Sequence, residues 1–249
     1  MSFYPSRALR QGCKTHATLR GVAGEEPVVT ACVIFDLDGT LADTSGDLIA
    51  AANVCFDEMG IVTRLDPVAD AGVAVRGGRA MLTRGLTREG AMSEETVTQW
   101  YPRLLTAYAE ALSVHTKMYD GAVDEIEALR SNGYAVGICT NKPEGLAEQL
   151  MRELGVRDLF GSLIGADTLP TRKPDVAPYW AAVDACGGTR SRSLLVGDTE
   201  TDRSTSKAAG VPSILVTFAP GESDVHALEP DAVIDHFHQL PGEVTRLIG

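Results

Sequence analysis

Short, continuous runs of apolar residues recur along the chain and are rich in β-branched side chains. In residues 28–35, for example, Thr30 is the only polar side chain. A run that is apolar on both faces of an extended chain suits a strand that is covered on both sides of a parallel sheet. We therefore predict buried strands at residues 28–35, 134–139, 163–164, 194–196, 213–218 and 232–234.

Segments with a helical spacing of apolar residues alternate with these runs. Each is followed by glycine, which commonly ends a helix, and the pattern predicts helices at residues 123–130, 146–154 and 177–186. Alternating strands and helices are typical of βαβ units. The sequence therefore predicts an α/β fold with a Rossmann-like, doubly wound parallel sheet.

One segment interrupts the alternation. Between residues 44 and 117 no run is typical of a strand, whereas an apolar stripe ending at Gly60 and the segments 73–86 and 94–112 have helical spacing. We predict that residues 44–117 form an inserted α-helical cap domain, with hinges near residues 43–46 and 116–121. Residues 28–43 and 118–249 would then form the α/β core.

Residues 1–27 differ in character from the rest. They contain several basic residues, and no acidic residue precedes Glu25. A basic, acid-poor start can be a transit peptide, but this one has no apolar segment of the signal type and little amphipathic period. We interpret it as a disordered or extra N-terminal extension and exclude it from the fold.

Composition narrows the classes of function. The chain has 249 residues with 22 basic and 34 acidic side chains, and 22 − 34 gives a net charge of −12, which argues against binding to nucleic acid. No apolar run approaches the ~18 residues that a membrane span needs. The five cysteines form no CxxC pair, so neither a zinc site nor a disulfide framework is indicated. We expect a cytoplasmic monomer or homodimer that binds no membrane.

The first predicted strand ends in Asp36-Leu37-Asp38-Gly39-Thr40. Ligands of open α/β sheets bind beyond the carboxyl ends of the strands. Asp36 and Asp38 leave an extended segment on the same side and repel each other, a conflict that Mg²⁺ would remove because it prefers oxygen ligands. Gly39 permits a tight turn whose amides can face a phosphate. The simpler alternative is a strand end with an Asp-Gly turn.

Polar residues also follow three later strands. Thr140-Asn141 follows residues 134–139, Lys173 follows residues 163–164, and Asp198 and Asp202 follow residues 194–196. Each group also has a structural interpretation without a function. Thr140-Asn141 could be a helix N-cap and Lys173 a solvated lysine, and Asp198 and Asp202 could lie in a turn and in the first turn of a helix. Their occurrence in this order at successive strand ends favours one shared site.

The four motifs together resemble the signature of the haloacid dehalogenase-like hydrolase superfamily, over residues 28 to about 240. The segments DLDGTLADTSGDL and TNKPEGLAEQLMRELG are similar to phosphoglycolate phosphatases in particular. The resemblance implies that Asp36 is a nucleophile that forms an aspartyl-phosphate and that Asp38 is the general acid and base. It further implies Mg²⁺ ligands at Asp36, Asp38 (backbone carbonyl) and Asp198, a supporting role for Asp202, and phosphate binding by Gly39, Thr40, Thr140, Asn141 and Lys173.

The resemblance therefore implies a Mg²⁺-dependent phosphatase for a small phosphorylated metabolite, with 2-phosphoglycolate favoured. The alternatives are another small-metabolite phosphatase, a pyrophosphatase, a β-phosphoglucomutase-like enzyme, or a non-catalytic interaction domain on the same fold. Arg76 and Arg79, in the glycine-containing stretch of residues 75–80, are candidates to bind a substrate carboxylate. A solvated helix face is the alternative for each. This stretch, and Gly46 where the relatives usually have proline, depart from the commoner phosphoglycolate phosphatase pattern.

Overall fold

The computed structural model describes residues 29–221 and 224–249, so the predicted extension at residues 1–27 lies outside the described residues. Strands alternate with helices over most of this range. The strands are β1 (Cys32–Phe35), β2 (Ala42–Asp43), β3 (Lys117–Met118), β4 (Ala135–Cys139), β5 (Ser162–Ile164), β6 (Ser193–Gly197), β7 (Ser213–Val216) and β8 (Ala232–Ile234). The helices are α1 (Ser45–Met59), α2 (Ala71–Ala74), α3 (Gly78–Glu89), α4 (Glu94–Glu110), α5 (Ala122–Ser131), α6 (Glu144–Glu153), α7 (Val176–Ala185), α8 (Glu200–Ala209) and α9 (Leu240–Ile248).

Six of the strands form one parallel sheet in the order β5-β4-β1-β6-β7-β8. Alternate residues of β1 face opposite layers. Cys32 and Ile34 pack with α7, whereas Val33 and Phe35 belong to the larger core with α5, α6 and α9. A strand covered on both faces needs apolar side chains at every position, which explains the continuous runs. The predicted doubly wound α/β sheet is confirmed.

Some element boundaries differ from the predicted ones. The first strand starts at Cys32 rather than at residue 28, because Val29 lies at the surface with 47% exposure and pairs with no strand. The single helix predicted at residues 73–86 is divided into α2 and α3. Gly77, at the division, has φ 90, a conformation outside the α-helical region.

Helices α1 to α4 occupy the chain between β2 and β3. These two short strands pair antiparallel, so the chain enters and leaves the helical segment at neighbouring points. The Asp47 carboxylate of α1 fastens this junction by accepting hydrogen bonds from the amides of His115 and Thr116 and from the Thr116 hydroxyl, at 2.7–3.0 Å. We propose that this junction bounds a cap near residues 44–117. Within the described ranges, no helix is long and apolar enough to cross a membrane.

Candidate active site

Loops that follow β1, β4, β5 and β6 meet at the carboxyl edge of the sheet, on the floor of a cavity of about 640 Å³. Helices α3 and α4 cover the cavity from the other side. The parallel topology causes this convergence, because it brings all four strand ends to one edge. The site residues predicted from sequence that line the cavity are Asp36, Asp38, Arg76, Arg79, Thr140, Asn141, Lys173 and Asp198.

Lys173 is the central cation of the floor, and its side chain is 1% exposed. Its Nζ donates a hydrogen bond of 2.6 Å to Asp202 Oδ1 and lies 2.9 Å from Asp36 Oδ1. Burial alone would lower the pKa of Lys173, but the negative charges of Asp202 and Asp36 outweigh burial and raise it. The ammonium group therefore stays charged beside Asp36.

Asp202 is held in place by its own helix terminus. Its Oδ2 accepts hydrogen bonds from the Thr199 amide and hydroxyl, at 3.1 and 2.6 Å. The bond from the amide belongs to a capping box at the start of α8, in which the Thr199 side chain accepts from the Asp202 amide in return. Gly197 makes room for it, because a Cβ at that position would lie 2.4 Å from the Asp202 Cβ. A fixed Asp202 in turn fixes the position of Lys173.

Asp36, Asp198 and Asp202 form a buried carboxylate cluster, in which one oxygen from each lies within 4.8 Å of the others. Burial, together with the charges of Asp202 and Asp38, raises the pKa of Asp36 to about 6 although Lys173 opposes the rise. Burial and the charges of Asp202 and Asp36 likewise raise the pKa of Asp198. The cluster is thus short of positive charge.

The cluster fits a hard divalent cation. Its donors are all oxygens, and Asp36 Oδ1 accepts no hydrogen bond of good geometry from any described residue, its contact with Lys173 being an ion pair. Asp202 is already occupied by Lys173 and Thr199, which leaves Asp36 and Asp198 as the available carboxylate ligands. The Asp38 side chain lies outside the cluster.

Gly39 and Thr40 lie directly against Asp198. Gly39 has φ 84, and a Cβ there would come within 2.5 Å of Asp198 Oδ2, so only glycine fits. The Thr40 hydroxyl, which is fully buried, donates a hydrogen bond of 2.8 Å to Asp198 Oδ1. Sequence reasoning assigned both residues to phosphate binding. In the structure both lie against Asp198 and neither lines the cavity, and phosphate binding by the two residues stays a prediction.

The loop after β4 is locked to the loop that carries Lys173. The Asn141 side-chain amide donates a hydrogen bond of 3.0 Å to the Lys173 carbonyl oxygen. The Thr140 hydroxyl accepts one of 3.1 Å from the Lys142 amide. The predicted phosphate-binding groups of the two loops are therefore held in a fixed mutual position.

Two further polar residues of the cavity were not assigned a role from the sequence. Lys142 Nζ donates hydrogen bonds to Asp38 Oδ1 at 2.9 Å and to the Tyr108 hydroxyl at 2.8 Å. Burial would lower the pKa of Lys142, yet Asp38 reverses this effect and raises it; burial also raises the pKa of Tyr108 to about 12. The position of Lys142 directly after Thr140-Asn141 was an available signal, whereas Tyr108 shows only helical spacing.

The two candidate arginines of the cap differ in their surroundings. Arg79 is engaged: its guanidinium contacts Glu94 at 3.3 Å and Thr98 at 3.0 Å and lies over the Tyr101 ring. Arg76 lines the cavity without an ion pair or a side-chain hydrogen bond to another described residue. Its neighbour Val75 packs against the loop that contains Gly39, where the Val75 Cγ1 atom would lie 3.2 Å from a Cβ added to that glycine.

Comparisons with known proteins agree with this geometry. A family model described as haloacid dehalogenase-like hydrolase matches residues 33–216. A phosphoglycolate phosphatase of Agrobacterium fabrum is 36% identical over 210 residues, covering 83% of this chain and 89% of that protein. One of Rhodospirillum rubrum is 37% identical over 213 residues, covering 84% of this chain and 88% of that protein.

Solved structures share the fold at lower sequence identity. A crystal structure from Haemophilus somnus, described as a predicted phosphoglycolate phosphatase, has a TM-score of 0.74 and 22% identity, covering 86% of this chain and 97% of that chain. A haloacid dehalogenase-superfamily hydrolase from Geobacter sulfurreducens has a TM-score of 0.65 and 20% identity, covering 86% of this chain and 96% of that one.

Proposed function

This chain belongs to the haloacid dehalogenase-like hydrolase family, and we propose that it is a Mg²⁺-dependent phosphatase that hydrolyses 2-phosphoglycolate through an aspartyl-phosphate on Asp36. The family model and the similar phosphoglycolate phosphatases confirm the family resemblance that was inferred from the four motifs. The chain is a phosphoric monoester hydrolase. The metal, the intermediate and the substrate are the proposal.

The observation that carries this proposal is the setting of Asp36. Its carboxylate reaches the cavity floor beside a charged Lys173, 2.9 Å away, and next to the Asp198 carboxylate. A carboxylate is a weak nucleophile toward a dianionic ester unless nearby positive charge neutralises the repulsion. Lys173 supplies part of that charge, and the donor set beside it suits a divalent cation.

The proposed reaction proceeds in two steps. An oxygen of Asp36 attacks the phosphorus atom while the bond to the leaving oxygen breaks, and that oxygen takes a proton from Asp38. Asp38, now a carboxylate, then takes a proton from the water molecule that attacks the phosphorus, which releases inorganic phosphate and restores Asp36. Lys173, the Thr140 hydroxyl and the Asn141 amide bind the oxygens of the transferred group.

Asp36, Asp198 and the backbone carbonyl of Asp38 would hold the Mg²⁺. When bound, the cation supplies charge neutralisation between the carboxylates and the phosphate ester. Thr40 and Gly39 would serve this function indirectly, because the Thr40 hydroxyl holds Asp198 by a hydrogen bond and Gly39 leaves room for its carboxylate.

The charge distribution of the cavity supports an anionic substrate. Although the chain carries a net charge of −12, the side chains that line this cavity carry a surplus of one positive charge, 5 − 4 = +1. Four are acidic (Asp36, Asp38, Asp198 and Glu200) and five are basic (Arg76, Arg79, Lys142, Arg172 and Lys173). A local surplus of cations attracts a small dianion despite the overall charge. Two of these cations, Lys142 and Lys173, are committed to aspartates on the floor.

Arg76 is the cap residue best suited to bind a substrate carboxylate, because it lines the cavity and has no partner among the described residues. A guanidinium group binds a carboxylate through two parallel hydrogen bonds. This supports 2-phosphoglycolate, a small ester with a carboxylate beside the phosphate, over esters without one. The relatives' description as phosphoglycolate phosphatases supports the same substrate.

The test of the proposed function is a phosphate-release assay over small monoesters, with Mg²⁺ and with EDTA. We expect 2-phosphoglycolate to have the highest kcat/KM, and we expect EDTA to abolish release and added Mg²⁺ to restore it. Full activity in EDTA would contradict the proposal that phosphate release requires a bound divalent cation. Conversion of one sugar phosphate isomer into another, without phosphate release, would favour the mutase alternative. If kcat/KM were no higher for 2-phosphoglycolate than for sugar phosphates, the proposed substrate would be rejected and the phosphatase activity would stand.

Replacing Arg76 with alanine is expected to raise KM for 2-phosphoglycolate about 10- to 100-fold, the effect of losing a charged hydrogen-bond pair. The matched substrate is 2-hydroxyethyl phosphate, which has a hydroxymethyl group in place of the carboxylate, and its KM should be unaffected. Arg79→Ala is the matched variant, with a smaller expected effect because Glu94 and Thr98 already engage Arg79. Equal losses for both substrates would reject carboxylate recognition by Arg76.

We further propose a cytoplasmic location, as a monomer or homodimer. In support, the five cysteines of the chain are scattered and form no CxxC pair, a usage that indicates no disulfide framework and fits a reducing compartment.

A further inference from the structure

The loop after β4 carries a buried cation that the reaction described above does not use. Lys142 has a side chain that is 3% exposed, in the cavity between the core and the helices of residues 44–117. A buried ammonium group is costly unless charged and hydrogen-bonding partners surround it. The residues that hydrogen-bond to Lys142 therefore indicate its function.

Both partners of Lys142 are informative. Its Nζ donates to Asp38 Oδ1 at 2.9 Å and to the Tyr108 hydroxyl at 2.8 Å, and it lies 4.2 Å from the centre of the Tyr108 ring. Asp38 belongs to the core, whereas Tyr108 belongs to α4 and is 1% exposed. Lys142 is therefore a bridge between the general acid and a helix of the segment that covers it.

The hydrogen bonds to Asp38 are unequal between its two oxygens. Oδ1 accepts from Lys142 and also from the Thr44 hydroxyl, at 2.6 Å. No side chain or amide of the described residues donates to Oδ2. Two donors on Oδ1 fix the carboxyl plane and leave Oδ2 as the oxygen that exchanges a proton with the substrate.

We propose that Lys142 is a positioning residue for Asp38, and that the Tyr108 hydroxyl on α4 holds Lys142 in that position. This inference rests on the proposed phosphatase function and specifies how its general acid is assembled. In the first step Oδ2 of Asp38 gives its proton to the leaving oxygen as the P–O bond breaks. In the second step the same oxygen takes a proton from the attacking water. Lys142 keeps its protons throughout.

Thr44 and Tyr108 both come from the segment that follows β2, whereas Lys142 and Asp38 come from the core. Movement of α4 away from the core would remove the Tyr108 hydroxyl and expose Lys142 to water. Lys142 would then lose one of the two partners that hold its ammonium group beside Asp38. The helix that covers the cavity thus contributes to the position of the acid through its hydrogen bond with Lys142.

The test compares two esters of nearly equal shape, ethyl phosphate and 2,2,2-trifluoroethyl phosphate. Ethanol is a poor leaving group that needs the proton of Asp38, whereas trifluoroethanol is more acidic and needs it less. In Lys142→Met we expect kcat/KM for ethyl phosphate to fall about 100-fold or more, in the range of general acid catalysis. We expect the loss for the trifluoroethyl ester to be at least about tenfold smaller.

Three variants keep the test sharp. Lys142→Arg retains the charge and should recover part of the ethyl phosphate activity. Tyr108→Phe should show the same selective loss to a smaller degree. Lys207→Met replaces an exposed lysine of α8 and should change neither rate. Tyr108→Phe removes one hydroxyl and so decides the question if Lys142→Met does not fold.

Equal losses for both esters in Lys142→Met and Tyr108→Phe, or no loss in either variant, would overturn the positioning role. Failure of the proposed function itself looks different, because the unmodified protein would then release no phosphate from 2-phosphoglycolate or from either ester. A failed positioning role leaves the unmodified protein fully active and changes only the pattern among the variants.

Discussion

Replacing Asp36 with asparagine is expected to lower phosphate release by a factor on the order of 10⁴ to 10⁶, the scale on which nucleophile removal acts in other hydrolases. Asparagine keeps the shape of the side chain but removes the nucleophilic oxygen. The fold should tolerate the change, because Asp36 is buried in a cluster with too little positive charge, where burial already raises its pKa to about 6. We expect a melting temperature within a few degrees of the unmodified protein.

The matched control is Asp124→Asn, an exposed aspartate in the first turn of α5, which should retain full activity. Deamidation of the introduced asparagine would regenerate aspartate, so the mass of each preparation is checked before the assay. An Asp36→Asn protein that is folded, of correct mass and still active would contradict the assignment of the nucleophile.

Replacing Lys173 with methionine is expected to damage both stability and activity. Lys173 is 2% exposed and contacts two aspartates, and removing one partner from a buried charge pair typically costs about 3–5 kcal/mol. Losses of that size lower the melting temperature of a chain of this length by roughly 10 °C. Activity should fall at least about 10²-fold, because the transferred phosphoryl group loses a cationic contact.

The double variant Lys173→Met, Asp202→Asn separates these two effects. Neutralising Asp202 removes the carboxylate that Lys173 balances through its 2.6 Å hydrogen bond, so much of the lost stability should return. Activity should not return, since the phosphate contact is still missing. If Lys173→Met melted at the same temperature as the unmodified protein, the ion pairs of Lys173 with the aspartates would not stabilise the fold.

Much of the fold was predictable because buried parallel strands require apolar residues on both faces. That requirement is local and visible in the sequence, as in β1 and β6, whose residues are all buried. The polar residues that follow such strands were predictable for the same reason, because parallel topology brings strand ends to one edge. The sequence alone therefore predicts that Asp36, Asp198 and Lys173 meet at this edge.

Features that depend on packing between distant segments could not be predicted in this way. The division between α2 and α3 depends on the conformation of Gly77, and the periodicity of apolar residues continues across it. The bridge from Asp38 through Lys142 to Tyr108 joins residues 104 and 34 positions apart along the chain. No local pattern specifies which helix of the insert will meet that lysine.

The central claim is that a phosphoryl group is transferred to Asp36 during turnover. The most direct measurement mixes the protein with 2-phosphoglycolate and Mg²⁺, quenches within the first turnover, reduces with borohydride and identifies the modified peptide by mass spectrometry. Borohydride converts an aspartyl-phosphate to homoserine, and the account predicts this conversion at position 36 only. Turnover with no conversion, or with conversion at another aspartate, would contradict it.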